Sequence, residues 1–212
     1  MLLEDACFFI PARAGSKGFP HKNRILFEKT AEIIPPSLRD RVYVSTDDAI
    51  VFKKAKNYGF NAYWRLPHLC TDEASVKDVL INFAEKVDLQ YKNIILLYLT
   101  YPERTWEDIE KIYKKFLLNS SESLVCCEEV NDHPYLMVYK ESNNITPVVK
   151  HKLYRRQDYP KCYVISLFVA VYRINILNKL NDLLYNDDTC LFLLEQKKID
   201  VDYQKDYTEC AL

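Results

Sequence analysis

Short apolar runs of strand length alternate with amphipathic helical segments along this chain, and that alternation restricts its fold more than any other feature. The runs fall at residues 7–10, 42–45, 62–64, 94–99 and 124–127. Between them, residues 73–88 place Val76, Val79, Leu80, Phe83, Ala84 and Val87 on one helical face behind Asp72, a candidate N-cap. Residues 105–118 do the same with Ile109, Ile112, Tyr113 and Phe116 behind Thr105, and Asp108 completes a capping-box pattern. Strands alternating with helices predict an α/β fold: a three-layer, mostly parallel sheet with helices on both faces. Such sheets bind ligands in the crevice beyond the carboxyl ends of their strands.

After about residue 130 the alternation gives way to strand-rich stretches, HPYLMVYK, NNITPVVKHKLYRRQDYP and KCYVISLFVAVYR. A helix near 175–184 and a last strand around 199–202 follow. Residues 131–172 read as a small excursion from the sheet, either a dimerisation contact or substrate lid, or an irregular cap on the same subunit. With 212 residues, 49% of them hydrophobic, the chain has material for one substantial core and reads as a single domain, 1–212. A net charge of -1 without a long basic run argues against a nucleic-acid surface, so any phosphate chemistry is local. The acidic start MLLEDAC and the lack of an apolar segment near the roughly 20 residues that span a bilayer argue against a membrane and for the cytoplasm. Seven scattered cysteines without a C-x-x-C pair read as reduced, mostly buried thiols.

The first strand runs into FFIPARAGSKGFPHKN, residues 8–23, which holds two of the chain's three glycines, Gly15 and Gly18. Glycines this close mark backbone that turns sharply or approaches something closely. A loop of this kind at a strand end turns its N–H groups into an anion nest, to which Arg13, Lys17 and Lys22 add the charge a triphosphate needs. Neither the G-x-x-x-x-G-K-[ST] loop nor the G-x-G-x-x-G fingerprint is present. Near the other end, IDVD on a strand would turn Asp200 and Asp202 to one face, and paired carboxylates suit Mg²⁺ or form a solvated acidic end. In STDD, residues 45–48, a helix cap is the simpler reading.

IPARAGSKGFPHKN resembles the signature of the acylneuraminate cytidylyltransferases, the CMP-sialic acid synthetase family. RVYVSTDD, RLPHLCTDEAS, LLYLTYPERT, NDHPYLMV, YRRQDYPKCYVI and KKIDVD resemble further motifs of that family in the same order, over nearly the whole chain. The resemblance implies a nucleotide-diphospho-sugar transferase-like fold. It also implies transfer of CMP from CTP to a nonulosonic acid with release of pyrophosphate, with Mg²⁺ at Asp200 and Asp202 and a homodimer in which the excursion closes the partner's sugar site. By similarity, Ala12, Arg13, Ser16, Lys17, Lys22 and Asn23 line the triphosphate cradle, with Arg13, Lys17, Lys22 and Asp202 in catalysis. Arg65, Asp72 and Ser75 lie beside the nucleotide, and Arg156 would grip the carboxylate of the sugar acid.

The chain also departs from the family pattern. Tyr98 stands where the family has a glutamine near the sugar or ribose, and Leu99 and Tyr101 replace a proline and a serine. Val164 replaces an arginine, Ser166 and Leu167 replace Asn-Gly, and Arg155 and Lys161 are the nearby cations that could fill the lost arginine's space. These departures bear on the acceptor, leaving open a nonulosonic acid, another acid sugar such as an octulosonic acid, or a nucleotide-binding homologue without turnover.

Overall fold

The computed structural model describes residues 3–86 and 90–210. Strand β1 (Ala6–Pro11) leads through the glycine-bearing loop into helix α1 (Lys22–Ile33). Then come β2 (Val42–Thr46), α2 (Ala49–Asn57), β3 (Asn61–Trp64), α3 (Val76–Lys86), β4 (Asn93–Leu96) and α4 (Trp106–Leu117). The second half contains β5 (Ser123–Glu129), the hairpin β6 (Val138–Glu141) and β7 (Asn144–Pro147), β8 (Tyr163–Arg173), β9 (Cys190–Leu193) and α5 (Gln204–Glu209).

Seven strands form one sheet in the order β3-β2-β1-β4-β8-β5-β9. All neighbours are parallel except at β8, which runs antiparallel to both β4 and β5. Strand β1 shows why the fold needs three layers. Phe8 and Ile10 pack with Leu26 and Phe27 of α1, Val51 of α2 and Ile109 of α4 on one face. Cys7 and Phe9 pack with Val79, Leu80 and Phe83 of α3 on the other. A strand covered on both faces is apolar at every position, which is why its sequence is a continuous run rather than an alternation. The chain moves outward from β1 to β2 and β3, then returns to β4 on the other side of β1. That reversal opens a crevice at the carboxyl ends of β1 and β4.

The helix ends show where local chemistry prevails. The capping box of α4 forms as its sequence predicts: Thr105 Oγ1 accepts from Asp108 N–H at 3.2 Å and Asp108 Oδ2 from Thr105 N–H at 2.9 Å. Helix α3 starts later than expected, at Val76, and Ser75 Oγ rather than Asp72 receives a first-turn N–H, that of Asp78, at 3.1 Å. Asp72 is drawn away by cations described below, and Val87 lies outside the described residues. The helix expected near 175–184 is a 3-10 segment, Ile174–Lys179, followed by a turn in which Asn181 Oδ1 accepts from Leu183 and Tyr185 N–H groups and Leu184 adopts φ 66°. Residues 199–202 do not form the expected strand; the parallel edge partner of β5 is β9 instead. The last segment keeps the alternation of a strand without its ladder: Val201 is buried and donates its N–H to Thr100 C=O at 2.8 Å, while Asp200 and Asp202 are exposed.

Candidate active site

The loop between β1 and α1 is shaped by its own neighbours before any ligand is considered. Ala12 gives its N–H to Ser45 C=O at 2.9 Å and accepts from Thr46 Oγ1 at 2.6 Å, so both of its backbone groups are engaged and its methyl is buried. Asp47 accepts the N–H of Ala14 at 2.6 Å, and Asn23 Nδ2 donates to Arg13 C=O at 2.8 Å. Gly15 sits at φ 78° with open space where a Cβ would be, whereas a Cβ on Gly18 would stand 2.6 Å from the carbonyl oxygen of Asp202. The first glycine serves conformation and the second serves close approach.

Three cations of this loop already hold carboxylates. Arg13 Nη2 meets Asp72 Oδ1 at 2.7 Å and Lys17 Nζ contacts the other oxygen of Asp72, holding that carboxyl below its ordinary range. Arg13 Nη1 donates to Cys70 C=O at 3.0 Å. Lys22 Nζ meets Asp202 Oδ1 at 2.8 Å. Lys22 and Arg24 lie in the first turn of α1, which has no acidic residue. Positive charge at the positive end of a helix is unfavourable unless anions answer it. Asp202 does so for Lys22, and Asp48 does so for Arg24 at 2.6 Å. Asp48 also caps α2 by accepting from Ile50 and Val51 N–H groups, so STDD supplies a cap together with a loop anchor at Asp47.

These residues surround a cleft of about 260 Å³ lined by Arg13, Ser16, Lys22, Asn23, Arg65, Asp72 and Tyr98, among others. Arg65 is buried with no carboxylate ion-pair partner among the described residues; it donates to Ser45 Oγ at 3.3 Å and Ser45 C=O at 3.2 Å, and desolvation pulls its pKa down. A second recess of about 170 Å³ adjoins it across Arg13, Ser16 and Asn23 and continues to Gly15, Arg24 and Asp48. Backbone amides, several cations and an opening at the strand ends are the parts from which anion-binding sites are built. Ser75 serves as the cap of α3. Arg156 lies elsewhere, in a recess within residues 129–162, and Arg155 is tied to Asp158 by two hydrogen bonds of 2.8 and 3.0 Å. Val164 is exposed in a recess that it shares with Glu128, Glu129, Asp132 and Lys197.

Beside the cleft lies the carboxylate pair. Although Asp200 is exposed as a residue, desolvation of its carboxyl first, then the charge of Asp202, raises that carboxyl above its ordinary range. Buried Val201 separates Asp200 from Asp202 on an extended segment, so the two carboxylates turn to one exposed side, and one or two carboxylates plus phosphate oxygens are how Mg²⁺ is commonly held. The donor set therefore fits Mg²⁺. Sequence reasoning missed the loop-anchoring role of Asp47 and the fully buried Arg104, whose guanidinium donates to the carbonyls of Phe168 and Tyr98. Desolvation pushes Arg104 down to about 10.

Comparison with known proteins adds independent support. The sequence matches the Cytidylyltransferase family over residues 7–201. It is 27% identical over 214 residues to the post-translational flagellin modification protein B of Campylobacter coli, covering 93% of this chain and 90% of that one. It is 31% identical over 174 residues to the pseudaminic acid cytidylyltransferase of Campylobacter jejuni, covering 76% of this chain and 75% of that one. Against the N-acylneuraminate cytidylyltransferase of Streptococcus agalactiae serotype V the identity is 30% over 165 residues, 73% of this chain; the match spans only 40% of that longer protein. Among solved structures, a CMP:2-keto-3-deoxy-manno-octonic acid synthetase in complex with CTP superposes with a TM-score of 0.68 at 17% identity, covering 98% of this chain and 97% of that one, a likeness of fold.

Proposed function

The chain belongs to the cytidylyltransferase family, and from that premise we propose that it transfers CMP from CTP to the anomeric hydroxyl of a sialic-acid-like nonulosonic acid. The observation that carries this reading is the convergence of Arg13, Lys17 and Lys22 on a crevice at the switch point of the sheet, next to the Asp200–Asp202 pair. The curated relatives with acid-sugar names point to the same class of acceptor.

In the reaction, the sugar oxygen bonds to the α-phosphorus, the bond from that phosphorus to the bridging oxygen breaks, and pyrophosphate leaves while the hydroxyl gives up its proton. Such transfer depends on charge neutralisation and in-line positioning more than on covalent help from the protein. Arg13 and Lys17 exchange the Asp72 carboxylate for phosphate oxygens. Asp72 thus serves as a counter-ion that keeps the cations in place before nucleotide arrives. Lys22, at the amino end of α1, neutralises charge developing on the departing pyrophosphate. Ser16 and the loop amides complete the cradle, and Arg65 fixes the ribose or base from the opposite wall. Asp200 and Asp202 would hold Mg²⁺, which supplies further charge stabilisation when bound.

The acceptor side is shared between subunits in this reading. Arg156 does not line the nucleotide cleft, while Val138, Tyr139, Ile145, Tyr154 and Val164 of the same stretch of chain expose apolar surface. A homodimer that covers this surface and brings Arg156 to the partner's cleft accounts for both facts. Among the described residues no helix is long and apolar enough to cross a membrane, and we place the reaction in the cytoplasm, where CTP is available. The test is pyrophosphate release from CTP with a panel of nonulosonic acids and an octulosonic acid. Release with a nonulosonic acid supports the proposal, release only with the octulosonic acid reassigns the acceptor, and CTP binding without release overturns the activity.

A further inference from the structure

Asp72 lines the cleft with one carboxylate oxygen on each of two cations, Arg13 Nη2 at 2.7 Å and Lys17 Nζ. Both oxygens are thus engaged with groups that a phosphate would use. The fold around Asp72 does not need this carboxylate. Its place just before α3 suits a helix cap, yet Ser75 Oγ takes the Asp78 N–H at 3.1 Å, and among the described residues no backbone N–H donates to Asp72. Arg13 is held independently of it: Nη1 donates to Cys70 C=O at 3.0 Å, and the Arg13 carbonyl accepts from Asn23 Nδ2 at 2.8 Å. The guanidinium therefore keeps its place when Asp72 lets go, with Nη2 left for an incoming oxygen. The Lys17 side chain is 80% exposed, and Asp72 is the carboxylate that holds it in the loop. An anion that comes to these two cations must first displace Asp72 and then remain close to its charge, so the pairing that places the cations also opposes the ligand.

We propose that Asp72 is an internal competitor for phosphate, which gives up Arg13 and Lys17 when a triphosphate binds and takes them back when pyrophosphate leaves. Product release is then part of the loop's own ion pairing. This rests on the reading of Arg13 and Lys17 as phosphate ligands given above. The exchange makes and breaks ion pairs only. A nucleoside monophosphate, which lacks the β- and γ-phosphates that meet these cations, displaces nothing and is little affected by Asp72.

The test neutralises the carboxylate and keeps its shape. Calorimetric titrations with inorganic pyrophosphate, CTP and CMP, each with and without Mg²⁺, compare the wild type with Asp72→Asn. The variant is expected to bind pyrophosphate and CTP about three- to thirtyfold more tightly, the range that two water-exposed ion pairs span, and CMP within about twofold. Because Ser75 holds the start of α3, the melting temperature should stay at the wild-type value. Asp72→Glu keeps the charge and should bind nearly as the wild type does. In a Lys17→Ala background the gain from Asp72→Asn should shrink, because one of the two contested cations is gone. Pyrophosphate bound no more tightly by Asp72→Asn, or more weakly at an unchanged melting temperature, overturns the competition. Equal tightening of all three ligands also overturns it, as the mark of net charge alone. A wild-type protein that binds neither pyrophosphate nor CTP overturns the phosphate reading of Arg13 and Lys17, and this inference with it. Tighter pyrophosphate binding by Asp72→Asn, beside a wild type that turns over no acid sugar, supports the competition and overturns only the activity proposed above.

Discussion

Gly18→Ala would test how the loop between β1 and α1 is built. The added Cβ would lie 2.6 Å from the Asp202 carbonyl oxygen and 3.1 Å from two ring carbons of Tyr203. Ordinary contact begins near 3.4 Å, so the loop and the last segment must part by about 0.8 Å, and the obstacle is backbone rather than a side chain that can swing away. Such overpacking typically costs about 1–3 kcal/mol, which for a chain of this size lowers Tm by about 2–4 °C per kcal/mol. A separation of that size also carries the 2.8 Å contact between Lys22 and Asp202 beyond hydrogen-bond range. Nucleotide binding should therefore suffer along with stability, and CTP affinity is expected to fall by about tenfold or more, the loss of one charge-assisted contact. Tyr203→Ala in the same protein should not restore it, because the carbonyl oxygen remains. Gly15→Ala meets no atom within 4 Å but must hold φ 78°, so its strain stays within the loop and should weaken CTP and CMP alike. Melting curves and calorimetry on the variants decide the matter. If Gly18→Ala melts and binds CTP as the wild type does, the loop is not seated on Asp202; if Tyr203→Ala rescues it, the ring and not the backbone is the barrier.

Other expectations follow from the same geometry. Lys17→Ala should weaken CTP about tenfold or more and CMP much less, because CMP lacks the β- and γ-phosphates; equal losses by calorimetry would point to a loosened loop. Asp202→Asn should keep the fold while lowering pyrophosphate release by about a hundredfold, and EDTA should abolish release reversibly. At Asp48, desolvation raises the carboxyl, but hydrogen bonds from Arg24, Ile50 and Val51 prevail and leave it below its ordinary value of 3.8. Its contribution to stability is therefore complete above the unfolded pKa and is lost as pH falls from about 4 through the lowered value. Urea unfolding of Asp48→Ala should show a cap loss of about 0.5–2 kcal/mol near neutral pH and a shallower decline on the acid side, whereas an acid slope identical to wild type would exclude the carboxylate. Ile145 is 70% exposed on the β6–β7 hairpin, so in the proposed homodimer Ile145→Asp should shift light scattering towards monomer and leave CTP binding intact.

The residues by themselves determined whatever depends on neighbours in sequence. The run of residues 7–10 reads as a strand because both of its faces are covered, and α4 reads as a helix because Thr105 and Asp108 cap it within one turn. The basic loop was likewise legible, since Gly15, Gly18, Arg13 and Lys17 are packed into a few residues at a strand end. What tertiary structure decided is which distant groups answer one another. Asp72 reads locally as a helix cap, but two cations nearly sixty residues earlier offer it more than one backbone N–H, and Ser75 caps α3 instead. IDVD reads as a strand and is a lone extended segment, because β9 takes the sheet edge and leaves residues 199–202 to lie against Thr100 and Gly18. The contacts of Asp47, Arg104 and Tyr101 carry no local signal, because their partners, Ala14, Phe168 and Ser166, are brought to them only by strand order and a bulge in β8. Periodicity and capping are properties of a dozen residues, whereas a hydrogen bond between groups sixty-five positions apart exists only once the sheet between them has formed.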